Sequence, residues 1–473
     1  MINNAKTDLQ LSVQKERSGF WNGTLFGTLL GMGTLIAYQY FSGILRQPRL
    51  ISKEIFSEDS EFENREALAM FIATENLRSG IQPRFLTGEL SKEILHAGYR
   101  NFRESWARDF GFATYGLLAL EQFEVVKDTL EAFFWHQTPE GQLPVKLHSM
   151  SVVTRFFYSL FEREQPTKTP LKPKYVSGHG SPSLDGQAML IVAAHNYAQE
   201  AEDFQFLQDH WSQLRSAVEW LQLHRGDDDD GVLLSQGSYT DWADSVARKG
   251  QILYTNVVYW KALLTMGLAA TSLNLKKETS LYFAEAETVS RAIHENFWRP
   301  DLGYFVTSDQ LDQLSSAGNL LAIAWGVASA AQAESILKLM EEAGMANPVP
   351  TRVVYPSYPS HLISMENVLG GLANYHTNAS WLWIGAWHVI ALANNGHLDQ
   401  AQEIMSRIAE TIVRDRQVNE VHGPDGKPLE SIWYKSESPL TWNAGMVDYA
   451  YSILESKVRA ETNLLSVLNE TLE

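Results

Sequence analysis

From about Glu54 onward, apolar residues recur at three- and four-residue spacings in Phe110 to Phe123, Ala188 to Ala201, Trp211 to Leu223, Val257 to Leu273, Leu320 to Ala331, Trp381 to Ala393 and Ala401 to Val413. That period predicts helices, each with a buried face. Alternation at a period of two is scarce, so few strands are expected. Turn chemistry separates the runs at Thr138-Pro-Glu-Gly, Gly226-Asp-Asp-Asp-Asp-Gly and Gly423-Pro-Asp-Gly. No shift of composition divides the region. It reads as one helical domain over 73–460, after a linker over 46–72 and before a tail over 461–473.

Clusters of polar and aromatic residues punctuate the helical runs: Trp106-Ala-Arg-Asp, Ser183-Leu-Asp-Gly, Asp241-Trp-Ala-Asp, Ser315-Ser-Ala-Gly-Asn, Tyr375-His-Thr-Asn and Val418-Asn-Glu-Val. Most recur about one long helical hairpin apart. No residue-level repeat accompanies them, but a structural one is implied. About six hairpins closing into a ring would bring all the clusters to one mouth. In an open helical solenoid they would instead be spread along a face.

The N-terminal part has another pattern. Ser18 to Leu45 is a run of 28 residues without a charge, long enough for a membrane-spanning helix of about 20 residues. Gly19, Gly23, Gly27 and Gly31 form a small-residue stripe of the kind that lets such helices pair. Trp21 lies near one end and Tyr38 and Tyr40 near the other. The expectation is a short tail over 1–17 and a single anchor over 18–45 on a catalytic domain on the cytoplasmic side, with a homodimer open through the glycine face. A buried or loose leader on a soluble cytoplasmic protein is the alternative.

Composition narrows the chemistry. The formal charge of −18 disfavours phosphate backbones, so nucleic acid is not expected as a partner. With no cysteine, thiolate metal sites and cysteine nucleophiles are excluded. The sequence has no Gly-x-Ser-x-Gly, no phosphate loop, no dinucleotide fingerprint and no His-Glu-x-x-His. No cofactor or metal is expected; the four aspartates at 227–230 lack the spacing of a helix-loop-helix calcium site. The 14 tryptophans and 18 tyrosines suit stacking on sugar rings as well as core filling.

Carboxylates in clusters suit glycoside hydrolysis. Inversion needs an acid for the leaving oxygen and a base for the attacking water, about 6.5–9.5 Å apart. The clusters, in this order and spacing, resemble the six-hairpin clan of inverting glycosidases over about Ala73 to Leu454. The amylo-α-1,6-glucosidase half of glycogen debranching enzyme is the nearest likeness and the neutral invertases come next. The implied fold is an all-α (α/α)6 toroid. Trp106-Ala-Arg-Asp-Phe is similar to the clan's aromatic-x-Arg-Asp signature, which gives Arg108 and Asp109 a grip on the sugar. A structural ion pair is the other reading.

Asp241-Trp-Ala-Asp matches the Trp-x-Asp motif of debranching enzymes, whose Asp is the general acid. That role falls on Asp244, with Asp241 as its rival and helix capping as its plain alternative. Arg248, Gly250 and Asn256 keep the continuation of that motif. Val418-Asn-Glu-Val, followed by Pro439-Leu-Thr-Trp-Asn, makes Glu420 the general base, with Glu430 and Glu437 as rivals. Tyr375-His-Thr-Asn resembles a Tyr-His-Asn motif but with Thr377 inserted. The resemblance implies sugar contacts from Trp106, Asp185, Asp241, Trp242, His376, Asn378, Trp381 and Trp442; capping for Asp185 and packing for the rings remain open.

The expected activity is inverting, exo-acting hydrolysis of a glucoside in an oligosaccharide or disaccharide, of the α-glucosidase or amylo-α-1,6-glucosidase type. The alternatives are an invertase-like sucrose hydrolase, a sugar epimerase or isomerase using histidines, and a non-catalytic glycan-binding protein. The Asp-Arg-Arg segment of neutral invertases is absent, which counts against sucrose.

Overall fold

The computed structural model describes residues 37–49, 64–226 and 231–472. Its helices, in chain order, are α1 (residues 37–45), α2 (Arg65–Ser79), α3 (Ala107–Ala119), α4 (Phe123–Trp135), α5 (Val152–Leu160), α6 (Leu184–Glu200), α7 (Phe204–Gln222), α8 (Leu253–Ser272), α9 (Lys276–Phe297), α10 (Ser316–Ala324), α11 (Ala330–Glu342), α12 (Met365–Leu369), α13 (Leu382–Asn394), α14 (Leu398–Asp415) and α15 (Thr441–Leu472). They form two compact units. The smaller contains α1 and α5, from residues 37–49 and 150–165; the larger contains all the other helices. Two boundaries differ from expectation. Residues 65–72, read as linker, belong to α2, and the expected tail after residue 460 continues α15.

In the larger unit, α3, α6, α8, α10, α13 and α15 pack in that order, and α15 returns to α3. Six inner helices thus close a ring. Helices α4, α7, α9 and α14 pack outside it, and α2 packs on α14 and α15. Five hairpins follow one another in sequence, and the sixth pair joins the two ends of the domain, α2 and α15. The burial explains which helix goes where. Most residues of α8 and almost all of α10 and α13 are buried, including Asn256, Asn319 and His388, because an inner helix faces both the axis and the outer layer. Outer helices such as α9 and α14 bury one stripe only. Short antiparallel strands precede the inner helices; Ser105–Trp106, Lys146–His148 and Lys172–Lys174 make one three-stranded sheet.

The ring closes at a glycine crossing. A Cβ added to Gly116 of α3 would sit 2.2 Å from the carbonyl oxygen of Gly445 in α15. No larger residue allows these backbones to meet. A second device recurs at the helix entrances. The fourth residue of α6, α8 and α10 is a buried amide: Gln187, Asn256 and Asn319. Asn319 accepts from Phe305 N at 3.0 Å and donates to the oxygens of Phe305 at 2.8 Å and Ser315 at 3.0 Å. Asn256 treats Leu234 and Ile252 in the same way, and Gln187 clamps Leu143, Ala217 and Gly141. Each amide satisfies backbone groups that burial would otherwise orphan.

The proposed anchor, Ser18–Leu45, lies outside the described residues except for 37–45. Among the described residues no helix is long and apolar enough to cross a membrane. The aspartates at 227–230 also lie outside them.

Replacing Asn319 by Leu keeps the volume but leaves the Phe305 N–H and C=O buried and unpaired. A loss of about 2–3 kcal/mol is expected, measured as a lowered thermal midpoint. An unchanged midpoint would remove the clamp from the account.

Candidate active site

The entrances of α3, α8, α13 and α15 share one mouth. A cleft of about 60 Å³ there is lined from the starts of α3, α13 and α15 and the segments before α8, α13 and α15. Its carboxylates are Asp109, Asp244 and Glu420; its rings are Phe102, Trp106, Trp242, Tyr375, His376, Trp381 and Trp442. Arg108 and Leu440 complete it. The expected residues Trp106, Arg108, Asp109, Trp242, Asp244, His376, Trp381, Glu420 and Trp442 are therefore together. Asp185, Asp241 and Asn378 are not among them.

Each absence has a physical reason. Asp185 has no exposed side-chain surface. It receives Arg108 Nε at 2.5 Å and Nη2 at 3.1 Å, with Ser183 Oγ at 2.5 Å. It stands behind the arginine, outside the lining of the cleft. Asp241 is buried on Arg248, with Gln236 Nε2 donating at 2.8 Å and Ala243 N at 2.9 Å. Asn378 accepts from Ser357 Oγ and donates to Asn374 Oδ1 at 3.3 Å, on another side of the loop. The sequence reading set Arg108 beside Asp109; the arginine's ion-pair partner is Asp185.

Asp244 keeps about half of its side chain (52%) open to the cleft. Enclosure by the surrounding protein pushes its carboxyl up to about 6, against the pull of Arg108 and with help from Asp241 and Asp185. His376 Nδ1 lies 3.9 Å from Asp244 Oδ1 and 2.9 Å from Ser245 Oγ. That imidazole is stacked on Trp381 (5.3 Å between centroids) and edge-on to Trp242 (5.1 Å). Burial, then Arg248 and Arg108, hold it well below the ordinary histidine range, so it is neutral.

Glu420 is buried on three donors. Tyr375 and Tyr434 give their hydroxyls to its two oxygens, and Glu437 N donates to Oε2 at 2.9 Å. Burial pushes it up to about 7; the three donors oppose the shift and Glu437 adds to it. Both tyrosines are held well above their usual range, first by burial and then by Glu420, so they remain donors. Asn443 of α15 fixes the loop by donating to the carbonyls of Asn419 at 2.7 Å and Glu420 at 2.8 Å. Of the rivals, Glu430 is exposed, and Glu437 is committed to the amides of Tyr99 (2.8 Å), Arg100 (2.5 Å) and Asn101 (2.5 Å).

Asp109, in the first turn of α3, is pushed up to about 7 by burial, with Arg108 opposing and Asp244 and Asp185 adding. Although burial works against it, Asp185 keeps Arg108 firmly protonated. Trp106 carries the Lys146 ammonium over its ring, 4.2 Å from the centroid, and Lys146 pairs with Glu104 at 2.6 Å. Trp442 stacks on Phe112 at 5.3 Å. The sequence reading assigned no role to Phe102, Tyr375, Tyr434 or Leu440. Tyr375 stood inside a motif already singled out; Tyr434 had no signal, since a loop 14 residues downstream returns it to Glu420. Among the described residues no cluster of side chains could hold a metal.

The geometry can be set beside known proteins. The model of the bacterial α-L-rhamnosidase six-hairpin glycosidase domain matches residues 145–348. A rhamnosidase from Klebsiella oxytoca, with rhamnose bound, is similar at a TM-score of 0.60 and 15% identity; the match covers 82% of this chain and 64% of that one. This chain thus spans about 64% of that rhamnosidase. A GH63 mannosylglycerate hydrolase from Thermus thermophilus, in complex with Tris, gives 0.58 and 12% identity over 80% of this chain and 99% of that one. A glycosidase variant in complex with glucose gives 0.56 and 14% over 85% and 99%. No curated protein matches the sequence. The chain has the six-hairpin glycosidase fold, and residues 145–348 match a glycosidase domain of that fold.

The two aspartates of the Asp241-Trp-Ala-Asp segment should separate in a stability measurement. Asp241→Asn leaves Arg248 buried without its counter-charge, at a cost of about 3–5 kcal/mol. Asp244→Asn should leave the thermal midpoint unchanged or higher. Equal losses from both would contradict the division of labour drawn here.

Proposed function

We propose that the chain hydrolyses glycosides with inversion, acting from the chain end on a glucoside, with Asp244 as general acid and Glu420 as general base. The observation that carries this is that the two carboxyls line one cleft from segments entering α8 and α15, three places apart around a ring of six. Opposite walls suit inversion, in which the proton and the water arrive on opposite faces of the sugar. The exo-acting mode is carried by the likeness to debranching enzymes.

In this reading Asp244 gives its proton to the glycosidic oxygen as the bond breaks. Glu420 takes a proton from the water that attacks the anomeric carbon. The three donors around Glu420 fix its orientation and leave lone pairs for that water. Arg108 has Nε and Nη2 committed to Asp185, Ser183 and the Thr240 carbonyl; Nη1 remains for a sugar hydroxyl, beside Asp109. The rings of Trp106 and Trp442 form apolar walls. The likeness to debranching enzymes favours an α-glucoside. A second reading, an α-L-rhamnoside, is favoured by the domain model matched over residues 145–348. A panel of maltose, isomaltose, panose, sucrose and trehalose together with an aryl α-L-rhamnoside decides between them. Release of glucose supports the first reading, and release of rhamnose alone the second.

Asp244→Asn and Glu420→Gln should each lower turnover by roughly 100-fold or more, with substrate binding retained. Full activity in either variant would return the role to another carboxylate. Arg108→Ala should raise KM and lower kcat together, because the grip also positions the sugar. A loss of stability with unchanged kinetics would make Arg108 purely structural.

The acid must be protonated and the base ionised. Activity should therefore fall as pH drops through about 7, where Glu420 takes up a proton, and as pH rises through about 6, where Asp244 loses one. The profile of kcat/KM is expected to be a narrow bell between those values. A plateau extending above pH 8 would be incompatible with Asp244 as the acid.

A further inference from the structure

The smaller unit has an uncovered apolar face. On α5, Val152, Val153, Phe156 and Leu160 are 56%, 63%, 43% and 50% exposed. At about 100° per residue they fall within one sector of the helix. The remaining apolar residues point the other way. Phe157 meets Phe41 of α1 edge-on at 4.9 Å, and Phe161 lies 6.1 Å from Phe41. Glu164 N donates to the Pro48 carbonyl and Arg163 Nη1 to that of Gln47, which fastens α5 to the chain after α1. Tyr38 and Leu45 of α1 are exposed as well. A helix that is apolar on its packed side and on its open side lacks a partner in water.

We infer that this face lies on the surface of an anionic lipid bilayer. Charge is the first argument. The described residues of the unit hold Arg46, Arg49, Arg155 and Arg163 against Glu162 and Glu164, in a chain whose formal charge is −18. A local excess of arginine around an apolar sector is what a helix lying in the lipid interface presents. The second argument is what precedes it: the run without charges that starts at Ser18 ends inside α1, at Leu45. A second copy is a poorer occupant, since the same arginine excess would then face itself. The inference is independent of the reaction proposed above.

The chain has no cysteine, so one can be placed at will. Full-length Phe156→Cys and, on the exposed side of α9, Ser280→Cys carry an environment-sensitive dye. Phosphatidylglycerol vesicles containing nitroxide lipid are added. The dye at 156 should shift to the blue and be quenched several-fold. It should respond far less to phosphatidylcholine vesicles, and the dye at 280 to neither. A dye at 156 that stays open to aqueous iodide with vesicles present overturns the inference. So does one shielded from iodide before any lipid is added, which would mean that the chain's own leader or a second copy covers the face. Equal quenching by both lipids overturns the assignment to an anionic surface.

Discussion

The site depends on the meeting of α3 with α15. These are the first and last inner helices, and the chain between them builds the rest of the ring. Their approach is set by Gly116 against Gly445 and fixed at the mouth by Thr441. Its Oγ1 donates to the carbonyl of His96 at 2.8 Å, and its N–H to that of Ala97 at 2.9 Å. Glu437, held by three successive amides of 99–101, locks the same junction. Without closure, Glu420 would have no cleft to share with Asp244, because nothing local in sequence brings residue 420 to residue 244.

Closure also explains the electrostatics. Three carboxyls, Asp109, Asp244 and Glu420, share one small cleft whose walls are largely aromatic. Enclosure raises all three, by the removal of water that would otherwise solvate the charge. Arg108 opposes the shift at Asp109 and Asp244, while hydroxyls and an amide oppose it at Glu420. Asp244 and Glu420 therefore sit in different surroundings: one half-open beside a cation, the other buried among neutral donors. Glu420 stands higher than Asp244, at about 7 against about 6, so the proposed roles fall to the minority state in which Asp244 holds the proton and Glu420 does not.

Much of this was legible in the sequence, and the remainder was hidden for a definable reason. Helical periodicity and the polar clusters at the helix entrances point to a helical array, and the resemblance to the six-hairpin clan implies the ring and singles out Asp109, Asp244 and Glu420 within the clusters. Neither tells which way each side chain points. Arg108 and Asp185 each hold the second position of an inner helix, on neighbours α3 and α6. There they face one another, whereas Asp109, one residue and about 100° further on, turns to the cleft. Spacing alone cannot tell such neighbours apart, which is why sugar binding and helix capping both stay open for Asp185 in the sequence. Asp241 and Asp244 are a similar case, three residues apart with one committed to Arg248. Tyr434 depended on a loop fold that no local pattern announces.

The central claim is that Asp244 and Glu420 act from opposite walls of one cleft, which makes the reaction a single displacement. Proton NMR of the reaction in deuterated water, started at high enzyme concentration, reports the configuration of the first-formed sugar before mutarotation. The account predicts a product whose anomeric configuration is opposite to that of the substrate. A first-formed product with the substrate's own configuration would require a covalent intermediate and would contradict it.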